Sequence, residues 1–113
     1  MADCLFCSIV AEEIPADIVL SNDDVVAFRD IAPQAPVHVL VVPRDHQANV
    51  GELASAAPAT TATLLQAAQE VAADEGVGDA YRVVFNTGAG AGQTVFHVHA
   101  HEIGGRDLEW PPG

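Results

Sequence analysis

The chain switches between two hydrophobic periods. In CLFCSIVAEE, residues 4 to 13, Leu5, Phe6 and Ile9 mark the apolar side of a short helix. The Ile14-Pro15 pair closes it, because the residue before proline avoids helical geometry. The period then shortens. Asp17 to Leu20 and Val25 to Arg29 read as strands joined across Ser21-Asn22-Asp23-Asp24, a cluster of turn formers. The two prolines of IAPQAP make an extended connection into Val37-His38-Val39-Leu40-Val41-Val42, a nearly continuous apolar strand ended by Pro43. From Pro58 to Glu75 helical spacing returns in Leu64, Leu65, Ala68, Val71 and Ala72, with Gly76 as its stop. Tyr81 to Asn86 forms a further strand, residues 87 to 93 a glycine loop, and Thr94 to Ile103 the last strand. This order predicts an α+β domain, an antiparallel five-stranded sheet with two helices against one face. There is no repeat or linker, and low complexity is confined to the alanine-rich stretch near 54 to 63, so residues 1–113 read as a single domain.

The last strand contains FHVHAHEIGG, which places three of the five histidines at positions 97, 99 and 101. A strand sends alternate side chains to opposite faces, so these imidazoles share one face about 7 Å apart, with Val98 and Ala100 on the other. On a helix each would turn roughly 200° from the last and the cluster would scatter. Such a row is either a solvated strand face or a catalytic group. A neutral imidazole attacks phosphorus while a neighbour fixes its tautomer or passes a proton.

Composition narrows the partners. Sixteen Asp and Glu stand against four Arg and no Lys, a formal charge of −12. A nucleic-acid polymer needs basic side chains to replace its counterions, so this surface repels it, whereas one pocket can still hold a small nucleotide. The N-terminus lacks the features of a signal peptide, and no apolar run approaches the ~20 residues of a membrane helix. The expected location is the cytoplasm, without membrane attachment. There, Cys4 and Cys7, spaced C-x-x-C, point toward metal or redox chemistry rather than a disulfide framework.

Five further features carry alternatives. NTGAGAGQT, residues 86 to 94, could bring backbone N–H groups, Gln93 and Thr94 to a phosphate, or be an ordinary glycine hairpin loop. It lacks the ending of a P-loop. His38 is a core histidine or a member of the site, and Asp30 a turn residue or a carboxylate for a ribose diol beside Ile31. Cys4 and Cys7 lie one helical turn apart, as two buried thiols or as half of a zinc site whose other ligands would be His46 and His97. Trp110, in the tail GGRDLEWPPG, folds back on its own domain or meets a partner subunit.

Taken together, CLFCSIVAEEIPA, AFRDIAPQAPVHVLVVPRDH, NTGAGAGQTVFHVHAHEIGGR and the closing WPPG resemble the histidine-triad family, in its Hint branch of purine nucleoside phosphoramidases. His97-Val-His99-Ala-His101-Glu-Ile is similar to the family motif of three histidines separated by apolar residues. The resemblance implies a homodimer with one continuous sheet. It also implies hydrolysis of the P–N bond of purine nucleoside 5′-phosphoramidates, or of aminoacyl-adenylates, through a nucleotidyl-histidine on His99, releasing AMP or GMP. Asp30 would bind the ribose, and Ile31, Phe28, Phe6, Leu5 and Ile9 would line the purine slot. Asn86, Gly92, Thr94 and His101 would hold the phosphate, His38 would orient His99 or relay a proton to it, and Trp110 would reach the partner's site. Thr94 stands where serine is more usual. His46 resembles a proton-relay member in relatives without the cysteines and a zinc ligand in relatives with them. The cysteines are present here, so the resemblance implies structural zinc held by Cys4, Cys7, His46 and His97, with no cofactor needed for catalysis. Competing readings are a dinucleoside polyphosphate hydrolase of the same superfamily, a nucleotide-binding adaptor without catalysis, and a zinc-stapled structural dimer.

Overall fold

In a computed structural model, which describes residues 4–113, the first element is a six-residue helix, α1 (Leu5–Val10). Strands β1 (Ile18–Ser21), β2 (Val25–Arg29) and β3 (Val37–Pro43) follow. Next come helices α2 (Val50–Ala56) and α3 (Pro58–Asp74), strand β4 (Tyr81–Val84), a single 3₁₀ turn at Ala89–Ala91, and β5 (Ala100–Gly104). The five strands form one wholly antiparallel sheet in the order β1-β2-β3-β5-β4. The predicted α+β class and strand number agree with this.

Single-residue alternation decides which face each side chain covers. Val25 and Ala27 of β2, Val39 and Val41 of β3, and Val98 and Ala100 form one core with Leu64, Ala67, Ala68 and Val71 of α3. The intervening Val26, Phe28, Leu40 and Val42 form a second core with Phe6 and Ile9 of α1. Helices therefore cover both faces, where one had been expected. The reason is the unbroken apolar run of β3: buried on both sides, it needs cover on both.

Two further elements differ from the sequence expectation. Helix α2 had not been anticipated, although it is announced by Asn49, whose side chain accepts a hydrogen bond from Glu52 N–H at 2.9 Å and so caps the first turn. The final strand is shorter than Thr94 to Ile103, because ladder pairing begins only at Ala100, opposite Val41. Before it the chain is held by other bonds, such as Val98 N–H to the Gln47 carbonyl at 2.7 Å. Alternation nevertheless continues through this segment, with Val98 and Ala100 in the α3-side core. Gly104 allows a close approach, since a Cβ there would lie 3.1 Å from both Cβ and Cγ2 of Val77 and press that side chain aside.

Candidate active site and metal centre

On the α1 side of the sheet lies a cleft of about 630 Å³, within the range of small-ligand sites. Its apolar wall includes Leu5, Phe6 and Ile9 from α1, Phe28 from β2 and Ile31 beyond it. Asp30, Thr94, His99 and His101 bring polar groups to the same space. Ile14, Pro15, Ala16, Leu40 and Val95 also line it. Of these, Leu40 was readable from the sequence, because it lies two residues from His38 on the same face of β3.

The hydrogen bonds assign the imidazole tautomers. Nδ1 of His99 lies 2.8 Å from the main-chain carbonyl of His97, which can only accept, so Nδ1 carries the proton and Nε2 is left with a free lone pair. Burial holds His99 below the ordinary imidazole value, so the neutral ring dominates near pH 7; the bond to His97 and the charge of Asp30 oppose that shift only in part. The edge of Phe6 packs against this ring, with centroids 4.9 Å apart.

His38 faces its partners in the opposite sense. Its Nδ1 accepts from Gln34 N–H at 3.0 Å, which places the neutral ring's proton on Nε2. That nitrogen stands 3.0 Å from His101 Nδ1 and 3.3 Å from Asp30 Oδ2, so one proton is shared between two acceptors. The other oxygen of Asp30 accepts from Ala32 N–H at 2.8 Å. Burial, followed by the neighbouring His99 and His38, lowers His101 as well. His38 was expected to orient His99 or relay a proton to it; its ring contact is with His101, and a backbone carbonyl holds His99.

The glycine loop also differs from expectation. The N–H groups of Ala91 and Gln93 both bond to Gly88 O, and Gly92 N–H bonds to Ala89 O, so the loop's own turn consumes these donors. Gln93 is buried rather than aimed outward. Its Oε1 accepts from Gly88 N–H at 2.9 Å, and its Nε2 donates to Ala48 O and Val95 O at 2.7 and 3.0 Å. Both amide protons are thereby spent, which removes Gln93 as a free donor. Gly92 takes a left-handed conformation beside Asn86, while Thr94 reaches the cleft. Trp110 is 84 % exposed on the tail after β5.

A second cluster lies on the other side of α1. Sγ of Cys4 and of Cys7 stand 3.3 to 3.5 Å from Nδ1 of His46 and of His97, and all four donor atoms lie within 4.8 Å of one another. A tetrahedral zinc ion with ordinary bond lengths has S–N edges of about 3.5 Å. His97 fits in its second contact too: Nε2 donates to Pro43 O at 2.8 Å, which leaves Nδ1 free to ligate. Without a cation, burial, then the neighbouring Cys4, pushes the Cys7 thiol up to about 11. Donor set and geometry are those of a closed structural zinc site.

A cleft lined by His99 and His101 beside a Cys4, Cys7, His46 and His97 cluster has parallels among known proteins. The model of the HIT domain family matches residues 11–108. The chain belongs to the HIT domain family. An uncharacterized HIT-like protein of Synechococcus elongatus is 50% identical over 111 residues, spanning 98% of this chain and 97% of that protein. The 14 kDa zinc-binding protein of Brassica juncea is 42% identical over 113 residues, spanning 98% and 100%. Among solved structures, a HIT family hydrolase from Legionella pneumophila superposes with a TM-score of 0.94 at 44% identity, covering 98% of this chain and all of that one. Directly after the last of the three histidines, Glu102 is fully buried, and neither carboxylate oxygen has a partner among the described residues.

Proposed function

We propose that this HIT protein is a cytoplasmic hydrolase of purine nucleoside 5′-phosphoramidates and aminoacyl-adenylates, working through a nucleotidyl-histidine on His99. The observation that carries the reading is the Nδ1–H of His99 bound to the His97 carbonyl, which leaves Nε2 as a neutral nucleophile in the cleft. Attack forms an Nε2–P bond as the P–N bond breaks, and the amine departs with a proton. Water then cleaves the Nε2–P bond, releases AMP or GMP and restores the free lone pair. Splitting the displacement lets each half proceed through a lower barrier.

The remaining residues take supporting roles. Asp30, 17% exposed at the cleft, offers a carboxylate to the ribose, and Phe6, Ile9, Phe28 and Ile31 give a purine an apolar slot. His101, with its Nδ1 accepting from His38, carries its own proton on Nε2 and serves the departing amine. Thr94 and Asn86 hold the phosphate oxygens, while Gly92, its N–H bonded to Ala89 O, turns the loop beside them. Zinc on Cys4, Cys7, His46 and His97 contributes folding energy and takes no part in the displacement.

The assembly proposed is a homodimer joined through β4, one of the sheet's two edge strands, with Trp110 reaching toward the second subunit. Its partners are then a second copy and a small nucleotide, with neither a membrane nor a nucleic-acid polymer involved. No helix among the described residues is long and apolar enough to cross a membrane.

The deciding experiment is an acid quench of the enzyme mixed with adenosine 5′-phosphoramidate, followed by mass spectrometry. An adenylyl group on His99 is expected. Turnover with no label on any histidine overturns the mechanism, and turnover of diadenosine polyphosphate alone overturns the substrate class.

A further inference from the structure

The helix that carries two zinc donors also forms a wall of the cleft. α1 has six residues, and isolated helices shorter than ~12–15 residues are marginal in water, so its place depends on what ties it down. Cys4 and Cys7 tie it to His46 and His97. On its other side Leu5, Phe6 and Ile9 meet the cleft. Phe6 falls between the cysteines in sequence, and its ring stands edge-on to His99 at 4.9 Å and to Phe28 at 5.5 Å. A second connection runs through His97, which points Nδ1 at the cysteines while its carbonyl receives the His99 Nδ1 proton at 2.8 Å. Both halves of the metal site therefore end on the same imidazole.

We infer that zinc and a purine nucleotide bind this chain with positive cooperativity, because the metal orders α1 and the His97 main chain in the arrangement that the nucleotide needs. The inference rests on the nucleotide-binding reading above. Phe6 and His97 act in it as positioning residues for His99. Coupling between two sites is reciprocal: whatever factor zinc adds to nucleotide affinity, nucleotide adds to zinc affinity. A zinc ion that only stapled the N-terminus would stabilise the fold and leave nucleotide affinity unchanged.

The test is calorimetric titration of AMP into zinc-loaded and chelator-stripped protein. It is paired with competition for zinc by a chromophoric chelator, with and without saturating AMP. Stripping is expected to weaken AMP binding on the order of tenfold, and AMP to tighten zinc by the same factor. AMP affinities within about twofold of each other, or zinc affinity indifferent to AMP, overturn the coupling. Should the stripped chain unfold, the chelator competition on folded, zinc-loaded protein decides alone. Phe6→Ala is expected to keep its zinc and lose the dependence of zinc affinity on AMP; full retention of that dependence rules out the route through Phe6. Zinc-loaded protein that binds no AMP overturns the nucleotide reading itself, a result distinct from binding without coupling.

Discussion

His99 and His97 are joined by a hydrogen bond from ring to main chain: Nδ1 of the first donates to the carbonyl of the second at 2.8 Å. The bond uses a group that no side-chain substitution at position 97 removes. Replacing His99, by contrast, removes the nucleophile proposed for the reaction. His99→Ala is expected to lower kcat on adenosine 5′-phosphoramidate by about 10³-fold or more, with nucleotide binding retained. Single-turnover kinetics beside equilibrium AMP binding measures both, and activity within tenfold of the parent, about 1.4 kcal/mol of barrier, would sink the covalent step.

Asp30 and His38 form a pair, with Nε2 of the histidine 3.3 Å from the carboxylate. Asp30→Asn removes the charge that raises both His99 and His101. The protonated forms of these rings then become harder to reach, so the acidic limb of the kcat profile is expected to move to lower pH, and KM to rise through loss of the proposed ribose contact. A variant with an unchanged pH profile would show that Asp30 acts on the ribose alone.

Glu102 is buried with neither carboxylate oxygen partnered among the described residues. Burial, then the charge of Glu75, raises its carboxyl from 4.5 to about 7. Across the sheet it lies opposite Val39 and Val83. Around it the charged groups are those at the end of α3, where Glu75 pairs with Arg29, itself paired with Asp17. Between pH 4.5 and 7 the folded chain keeps a proton that the unfolded chain has lost, so this group makes stability fall as pH rises through that window. The full effect is about 3 kcal/mol. Chemical denaturation at pH 5 and pH 8 is expected to show the fall in the parent and its loss in Glu102→Gln. An equal pH dependence in the two proteins would refute the assignment to Glu102.

Gln93 supplies the fourth test. Gln93→Ala leaves Gly88 N–H and two carbonyls without their partner, at a cost of about 1–3 kcal/mol. Thermal unfolding is expected to register that loss, while AMP affinity changes little because the amide faces inward. A variant of parental stability with weakened AMP binding would restore the side chain to the ligand.

Period and spacing were enough to place the five strands and the long helix, and to set His97, His99 and His101 together on one face. Alternation needs only neighbouring residues, so it is local information and survives even where ladder pairing stops before Ala100. The C-x-x-C pair was likewise visible as half of a metal site. His46 and His97, the histidines expected to complete it, lie 42 and 93 positions from Cys4, and the fold brings both to it, as it brings His38 to His101. Asn49 had advertised a helix through its cap, but the alanine-rich sequence beyond it carried little amphipathic contrast. The inward turn of Gln93 and the proton positions on the imidazoles were beyond reach from the chain alone. They are set by carbonyls of His97, Ala48 and Val95, and every residue owns a carbonyl, so only the tertiary structure decides which one a side chain meets.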